Sequence, residues 1–246
     1  MTSKRTESAI RALRSHADAR NVEGMARYGI VSQCVLGIPM PTMKALAKEL
    51  GKDHDLAQEL WQSGIYEARI LAAMVDDPKK VTREQMERWV LDFDNWGLCD
   101  GVCNWLFDRT SHAWEVIPDW CGREEEYVKR AGFVLIAQRS VHDKKAEDGR
   151  FLFLLPLIRE GARDERLMVR KAVNWALRQV GKRNIHLNTM AVEEAKKIAA
   201  IGSKGARWIA SDALRELQSE SISMRLRARA PPAVVPMVID ATRPFR

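Results

Sequence analysis

Apolar residues recur at spacings of three and four along nearly the whole chain, and period-two alternation bounded by turn residues is scarce. That rhythm predicts an all-α fold of about a dozen helices. Punctuation fixes several limits. Pro41-Thr42 opens one helix, Asp76-Asp77-Pro78 closes another, and Gly161, Gly181 and Gly202 stand where helix C-terminal glycines belong. The segments YEARILAAMV (66–75), YVKRAGFVLIA (127–137), MVRKAVNWALRQV (168–180) and ARWIASDALREL (206–217) share a basic residue beside an alanine-rich apolar run. Aligning Ala131 with Ala172 gives an offset of 41 residues, and aligning the two Ala-Leu-Arg triplets (176–178 and 213–215) gives 37. The 63 residues from Ala68 to Ala131 leave room for one more unit. Such periods, with two helices per unit, predict a HEAT-like helical repeat solenoid, an α-α superhelix with a concave inner surface. An irregular helical bundle is the alternative.

Within that frame the stretch NWGLCDGVCNW (95–105) reads as one helix with two unlike faces. Leu98, Cys99, Val102, Trp105 and Leu106 share one arc, an ordinary core stripe. Trp96, Asp100, Asn104 and Phe107 share the other, with Cys103 at its edge. In the helix around Trp175, Val169, Ala172, Val173, Ala176, Leu177 and Val180 form the apolar arc. Arg170, Lys171, Asn174, Trp175 and Arg178 form the opposite one, a tryptophan embedded in a basic strip. That pattern suits phosphate contacts beside a nucleotide; a salt-bridged surface with a tryptophan lying on it is the plainer reading. Arg130 sits in a helix that is apolar from Val128 to Ala137 apart from Lys129 and itself. A guanidinium there needs a phosphate or a carboxylate such as Asp100, and a buried structural ion pair meets the need equally well.

Charge and composition then narrow the partners. The net charge is +7, but residues 223–246 hold five arginines and one aspartate, so the remainder carries only +3. This segment, with four prolines after Arg229, is expected to be a disordered basic tail following a single domain over residues 1–222. Four irregularly spaced cysteines and five dispersed histidines predict neither a disulfide framework nor a metal site, so no metal or cofactor is expected. No apolar run approaches the ~20 residues of a membrane span, and a soluble monomer in a reducing cytoplasm is expected.

Together these residues resemble the AlkD-type DNA alkylation repair family, helical HEAT-like DNA glycosylases, over residues 25–217. MARY (25–28) and LGIPMP (36–41) resemble its N-terminal signature, and Trp96 and Asp100 match its catalytic Trp-x-x-x-Asp. Lys129-Arg130-Ala131 resembles the segment with its active-site arginine, and Lys171 to Arg178 the helix with a second cleft tryptophan, Trp175. Asn95 and Gly97 depart from the aromatic and the acid that often flank the first tryptophan.

The resemblance implies a glycosylase for cationic N3- or N7-alkylated purines in duplex DNA, acting without flipping the base. Asp100, Trp96 and Trp175 would be catalytic, and Arg130, Arg178, Lys171, Arg170, Arg207 and Tyr28 would contact DNA. Two rivals remain: a non-catalytic solenoid binding bent or branched DNA by shape, and a protein-binding scaffold, which would need an apolar or peptide-binding groove.

Overall fold

The computed structural model describes residues 2–229. These form α1 (Lys4–Ser15), α2 (Ala19–Arg27), α3 (Met40–Leu50), α4 (His54–Gln62), α5 (Tyr66–Val75), α6 (Arg83–Leu91) and α7 (Trp96–Trp105). After a 3-10 turn (Phe107–Arg109) follow α8 (Ala113–Gly122), α9 (Glu126–His142), α10 (Asp148–Gly161), α11 (Leu167–Gly181), α12 (Ile185–Ala199), α13 (Lys204–Leu217) and α14 (Glu220–Arg229). Polar side chains start many of them. Ser3, Asp18, Asp53, Thr82, Asn95, Asn184 and Ser203 each accept a hydrogen bond from a backbone N–H of the first turn, a cap worth about 1 kcal/mol apiece.

From α4 onward the helices alternate between two rows. The second helices of successive pairs, α5, α7, α9, α11 and α13, each pack on the next to form one continuous row. They begin at residues 66, 96, 126, 167 and 204, so the unit expected between the repeats at 68 and 131 is α7 with its partner α6. In the other row Trp61 of α4 stacks on Trp89 of α6, with ring centroids 3.9 Å apart and planes within 6°. Phe93, Phe107 and Trp120 extend this cluster toward α8. Such aromatic pairs add about 0.5–1.5 kcal/mol each beyond the area they bury. One hydrophobic core runs from Ala9 to Leu217.

Two details of the α7 reading are corrected. The helix ends at Trp105, and the following 3-10 turn rotates Phe107 into the core rather than onto the face of Trp96. Cys103 is as fully buried as Cys99, because α7 is packed by both α5 and α9 and its buried arc is correspondingly wide. The boundary at residue 222 is also corrected. Ile222 and Leu226, one turn apart, bury themselves where α14 meets α12 and α13, so residues 223–229 are helical. Residues 230–246 of the expected tail lie outside the described residues.

The loop between α2 and α3 is fixed to the repeats by a buried carboxylate. Glu67 of α5 accepts hydrogen bonds from the backbone N–H groups of Leu36, Gly37 and Ile38 at 2.8, 2.7 and 3.4 Å. Gly37 has φ +77°, and a Cβ there would stand 2.3 Å from the Asp18 carbonyl oxygen. Only glycine fits that turn. Pro39 and Pro41 then start α3, whose first turn lacks N–H partners in any case. The LGIPMP signature is therefore a clamp that seats α2 beside α7.

Candidate functional site

Trp96, Asp100, Arg130 and Lys171 all lie on the row of second helices, although up to 75 residues separate them. The row brings them together with Tyr28 and Met168 around a cavity of about 290 Å³. Trp96 is the first residue of α7, immediately after the cap Asn95, whose side chain accepts from the Leu98 N–H at 2.9 Å. Its indole Nε1 donates to the Tyr28 carbonyl oxygen at 2.8 Å, which fixes the ring at the C-terminal end of α2. Gly29, with φ +79°, turns the chain away directly behind this bond. One turn further along α7, Asp100 opens onto the same cavity with 22% of its side chain exposed.

Arg130 approaches Asp100 from the start of the second turn of α9. Its Nε and Nη2 donate to the two carboxylate oxygens at 2.8 and 2.7 Å, and Nη1 donates to the Met168 carbonyl oxygen. The side chain is only 6% exposed. This two-pronged geometry fixes the carboxylate in both position and plane. Burial pushes the Asp100 carboxyl above its ordinary range, against the pull of the two Arg130 bonds and its charge. Burial also works to lower the Arg130 pKa, yet Asp100 outweighs it and holds the guanidinium firmly protonated. The outcome is a desolvated anion with a fixed orientation, facing a cavity walled by a tryptophan.

Arg130, expected to contact phosphate, has its guanidinium engaged by Asp100 and a backbone carbonyl. Arg178 is engaged likewise. Its Nη1 donates to Glu216 at 2.6 Å and its Nε lies 3.6 Å from Asp212, so α13 neutralises it. Asn174 of the expected polar strip is buried and donates to Asp212 at 2.7 Å. Arg170 lies over the Trp208 ring at 5.2 Å, and Arg207, exposed, donates to the Gly202 carbonyl oxygen. Neither lines the cavity, and Trp175, half-buried one turn beyond Lys171, does not line it either. Lys171 is exposed at the cavity rim and, among the described residues, has no carboxylate partner. Tyr28 is 78% exposed and borders this cavity and a second, mostly apolar one of about 450 Å³ shared with Trp96, Ile30 and Ile38. Met168, which closes the cavity and accepts from Arg130, carried no signal in the sequence beyond its place one turn before Ala172.

The two departures have physical grounds. Asn95 stands where a helix cap is needed, and its Nδ2 also donates to Asp94 at 2.7 Å. At Gly97 a Cβ would meet the Tyr66 hydroxyl at 2.9 Å and Ile30 Cδ1 at 3.0 Å, so a side chain there requires these tips to shift. The cysteines are packing groups: burial pushes the Cys99 thiol well up, so it stays protonated. No cluster of three metal-ligating side chains occurs among the described residues.

Comparison with known proteins places this geometry. A relative from Listeria innocua serovar 6a, the uncharacterized protein Lin0241, is 25% identical over 169 residues, covering 67% of this chain and 73% of its own length. A solved structure described as "a new family of proteins related to the HEAT-like repeat DNA glycosylases with affinity for branched DNA structures" superposes with a TM-score of 0.75 at 20% identity. That match covers 89% of this chain and 95% of the other, and it shows a shared HEAT-like fold. Residues 9–217 match the family described as DNA alkylation repair enzyme. With four fifths of its length inside that match, the chain belongs to the DNA alkylation repair enzyme family.

Proposed function

We propose that the protein is a DNA glycosylase that hydrolyses the N-glycosidic bond of cationic N3- or N7-alkylated purines in duplex DNA. The observation that carries this reading is the Asp100 carboxylate, held rigid by Arg130 and facing a tryptophan-walled cavity. Alkylation at N3 or N7 gives the purine a formal positive charge, so the base leaves neutral and needs no protonation. Positive charge builds instead on the sugar as the bond to its anomeric carbon breaks. A fixed anion in a partly dehydrated cleft stabilises that charge without reorganising. Arg130 occupies one lone pair on each Asp100 oxygen, and the remaining lone pairs can face the sugar or orient the attacking water.

The π face of Trp96 attracts an electron-poor sugar by about 0.5–2 kcal/mol, and more strongly as charge develops. Lys171 at the rim meets a backbone phosphate. As the family resemblance implies, the lesion remains stacked in the duplex, which limits substrates to bases whose glycosidic bonds are already labile. The test is release of 7-methylguanine from a methylated duplex. The parent protein releases base above the spontaneous rate, and Asp100→Asn slows release about 10²–10³-fold, measured below the lowered melting temperature expected once Arg130 loses its carboxylate. No release by the parent protein refutes the reading, and parental rates in Asp100→Asn remove Asp100 from it.

One observation favours a second reading. Both Asp100 oxygens accept from Arg130, so the pair is also compatible with a purely structural role. The protein would then bind bent or branched DNA without cleaving it, as the affinity described for the structural relative suggests. Tight binding of a four-way junction with no base release would select this reading.

A further inference from the structure

The C-terminal ends of α9 and α11 border the largest cavity described, about 510 Å³, closed on its third side by α14. Five cationic side chains line it: Lys144, Lys182, Arg183, Arg225 and Arg229. Among the described residues, no carboxylate lines it. Glu216, on Lys182 at 2.8 Å, and Asp143 and Asp148, acting on Arg183, stand behind the lining. Two of the cations are built into the wall. Arg183 donates to the carbonyl oxygens of Ser140 and Ala146 and lies 4.1 Å over the Phe151 ring, and Lys182 is held by Glu216. Lys144, Arg225 and Arg229 are exposed and, among the described residues, bond to no carboxylate.

Their arrangement needs a cause. Arg225 and Arg229 are one turn apart on α14, and like charges at that spacing repel. Burial of Ile222 and Leu226 fixes the helix so that both arginines turn to the cavity. Attraction to the helix C-termini accounts for a cation or two, but not for five around one void. A polyanion does account for them. The cavity lies about eleven residues beyond Arg130 on α9 and beyond Lys171 on α11, roughly 16 Å along the helix axes. It is thus separate from the Asp100 cleft yet mounted on the same two helices.

We propose that this pocket is a second site for the phosphodiester backbone of DNA, so that the chain grips two separate stretches of backbone. Contacts are made by the mobile Lys144, Arg225 and Arg229 against the fixed positive wall of Lys182 and Arg183, and they are independent of sequence. The inference goes beyond base release and does not depend on it.

The test uses the full chain and a fluorescein-labelled, unmodified duplex, with anisotropy followed across salt concentration. The triple variant Lys144→Ala/Arg225→Ala/Arg229→Ala should weaken binding at least tenfold. It should also lower the slope of log affinity against log salt by about two, as expected when two or three phosphate contacts are lost. The conservative variant Arg225→Lys/Arg229→Lys should retain binding, which separates loss of charge from loss of fold. The control Lys48→Ala/Lys79→Ala/Lys80→Ala, which removes equal charge from exposed positions elsewhere, should leave the slope near the parental value. An unchanged slope in the first variant, or an equal fall in the control, overturns the proposal. So does a triple variant that loses binding to a labelled polyglutamate peptide while keeping its DNA affinity. Binding of an unmodified duplex is read without any base release, so failure of the glycosylase reading and failure of this one give different results.

Discussion

The junction of α7 with α9 and the junction of α11 with α13 use the same ingredients to opposite ends. Each joins arginine to carboxylate across neighbouring helices of one row, beside a tryptophan. At the first, one buried arginine and one partly exposed aspartate meet in a bidentate pair that opens on a cavity. At the second, Arg178 and Lys182 share Glu216 while Asn174 and Arg215 share Asp212, in partly exposed positions. The difference lies in the count of partners and the space in front of them, since Asp100 and Asp212 are similarly exposed, at 22% and 19%. Asp100 has one cationic partner and an open cavity before it, whereas Asp212 meets Arg178, Arg215 and Asn174 and is more fully quenched. The first junction is equipped for chemistry and the second ties two repeats together.

Removing charge should expose this contrast most strongly at Arg130. Arg130→Ala leaves Asp100 buried without its partner, and the expected loss of stability is about 3–5 kcal/mol, read by urea unfolding. The same change at Arg178 should cost no more than about 1 kcal/mol. Equal losses would erase the distinction between the junctions.

Next in size, Trp96→Ala should slow base release by an amount equivalent to about 0.5–2 kcal/mol, with Trp175→Ala smaller because Trp175 does not line the cavity. A larger effect at Trp175 would move the cleft along α11. Release should also fall on acidification, with a midpoint above the ordinary aspartate value of 3.8, because burial raises the Asp100 pKa. The sign for stability is opposite. A carboxyl whose folded pKa is raised takes up its proton more readily when folded, so this group adds stability as pH drops from above its folded pKa toward 3.8. Acid should therefore silence the site before carboxylates held low by their partners, such as Asp164 at about 2, are protonated and cost the fold stability; an activity midpoint at or below 3.8 would contradict that.

The smallest effect concerns DNA affinity. Lys171→Ala should lower the salt slope by about 0.9, one phosphate contact, while Arg178→Ala should leave it unchanged. A lower slope for Arg178→Ala would mean that DNA displaces Glu216.

The sequence exposed the site only where a residue contradicts its local pattern. Arg130 was conspicuous as a charge in an apolar helix, and the apolar arc of α11 was readable because every member keeps a helical period and is fully buried. What stood across from Arg130 stayed open, since phosphate and Asp100 satisfy a guanidinium equally until packing brings α7 within reach. Arg178 misled for the same reason: its quenching acids arrive from α13 by lateral contact 34 to 38 residues away. Extending the helical period two residues past Trp105 misplaces Phe107, because the chain changes there to a 3-10 turn. The basic cavity was invisible, its five cations being scattered over residues 144–229, and α14 was masked by arginines that break up the apolar signal of Ile222 and Leu226.

The fit around Gly97 bears on what single substitutions can reach. The space that a side chain at position 97 would need is taken by the Tyr66 hydroxyl and the tip of Ile30. Position 97 is therefore coupled to positions 66 and 30, and an acid placed next to Trp96 needs both side-chain tips to give way. A side chain at this position thus requires rearranging the wall behind Trp96, so its cost is set by residues that never reach the cleft.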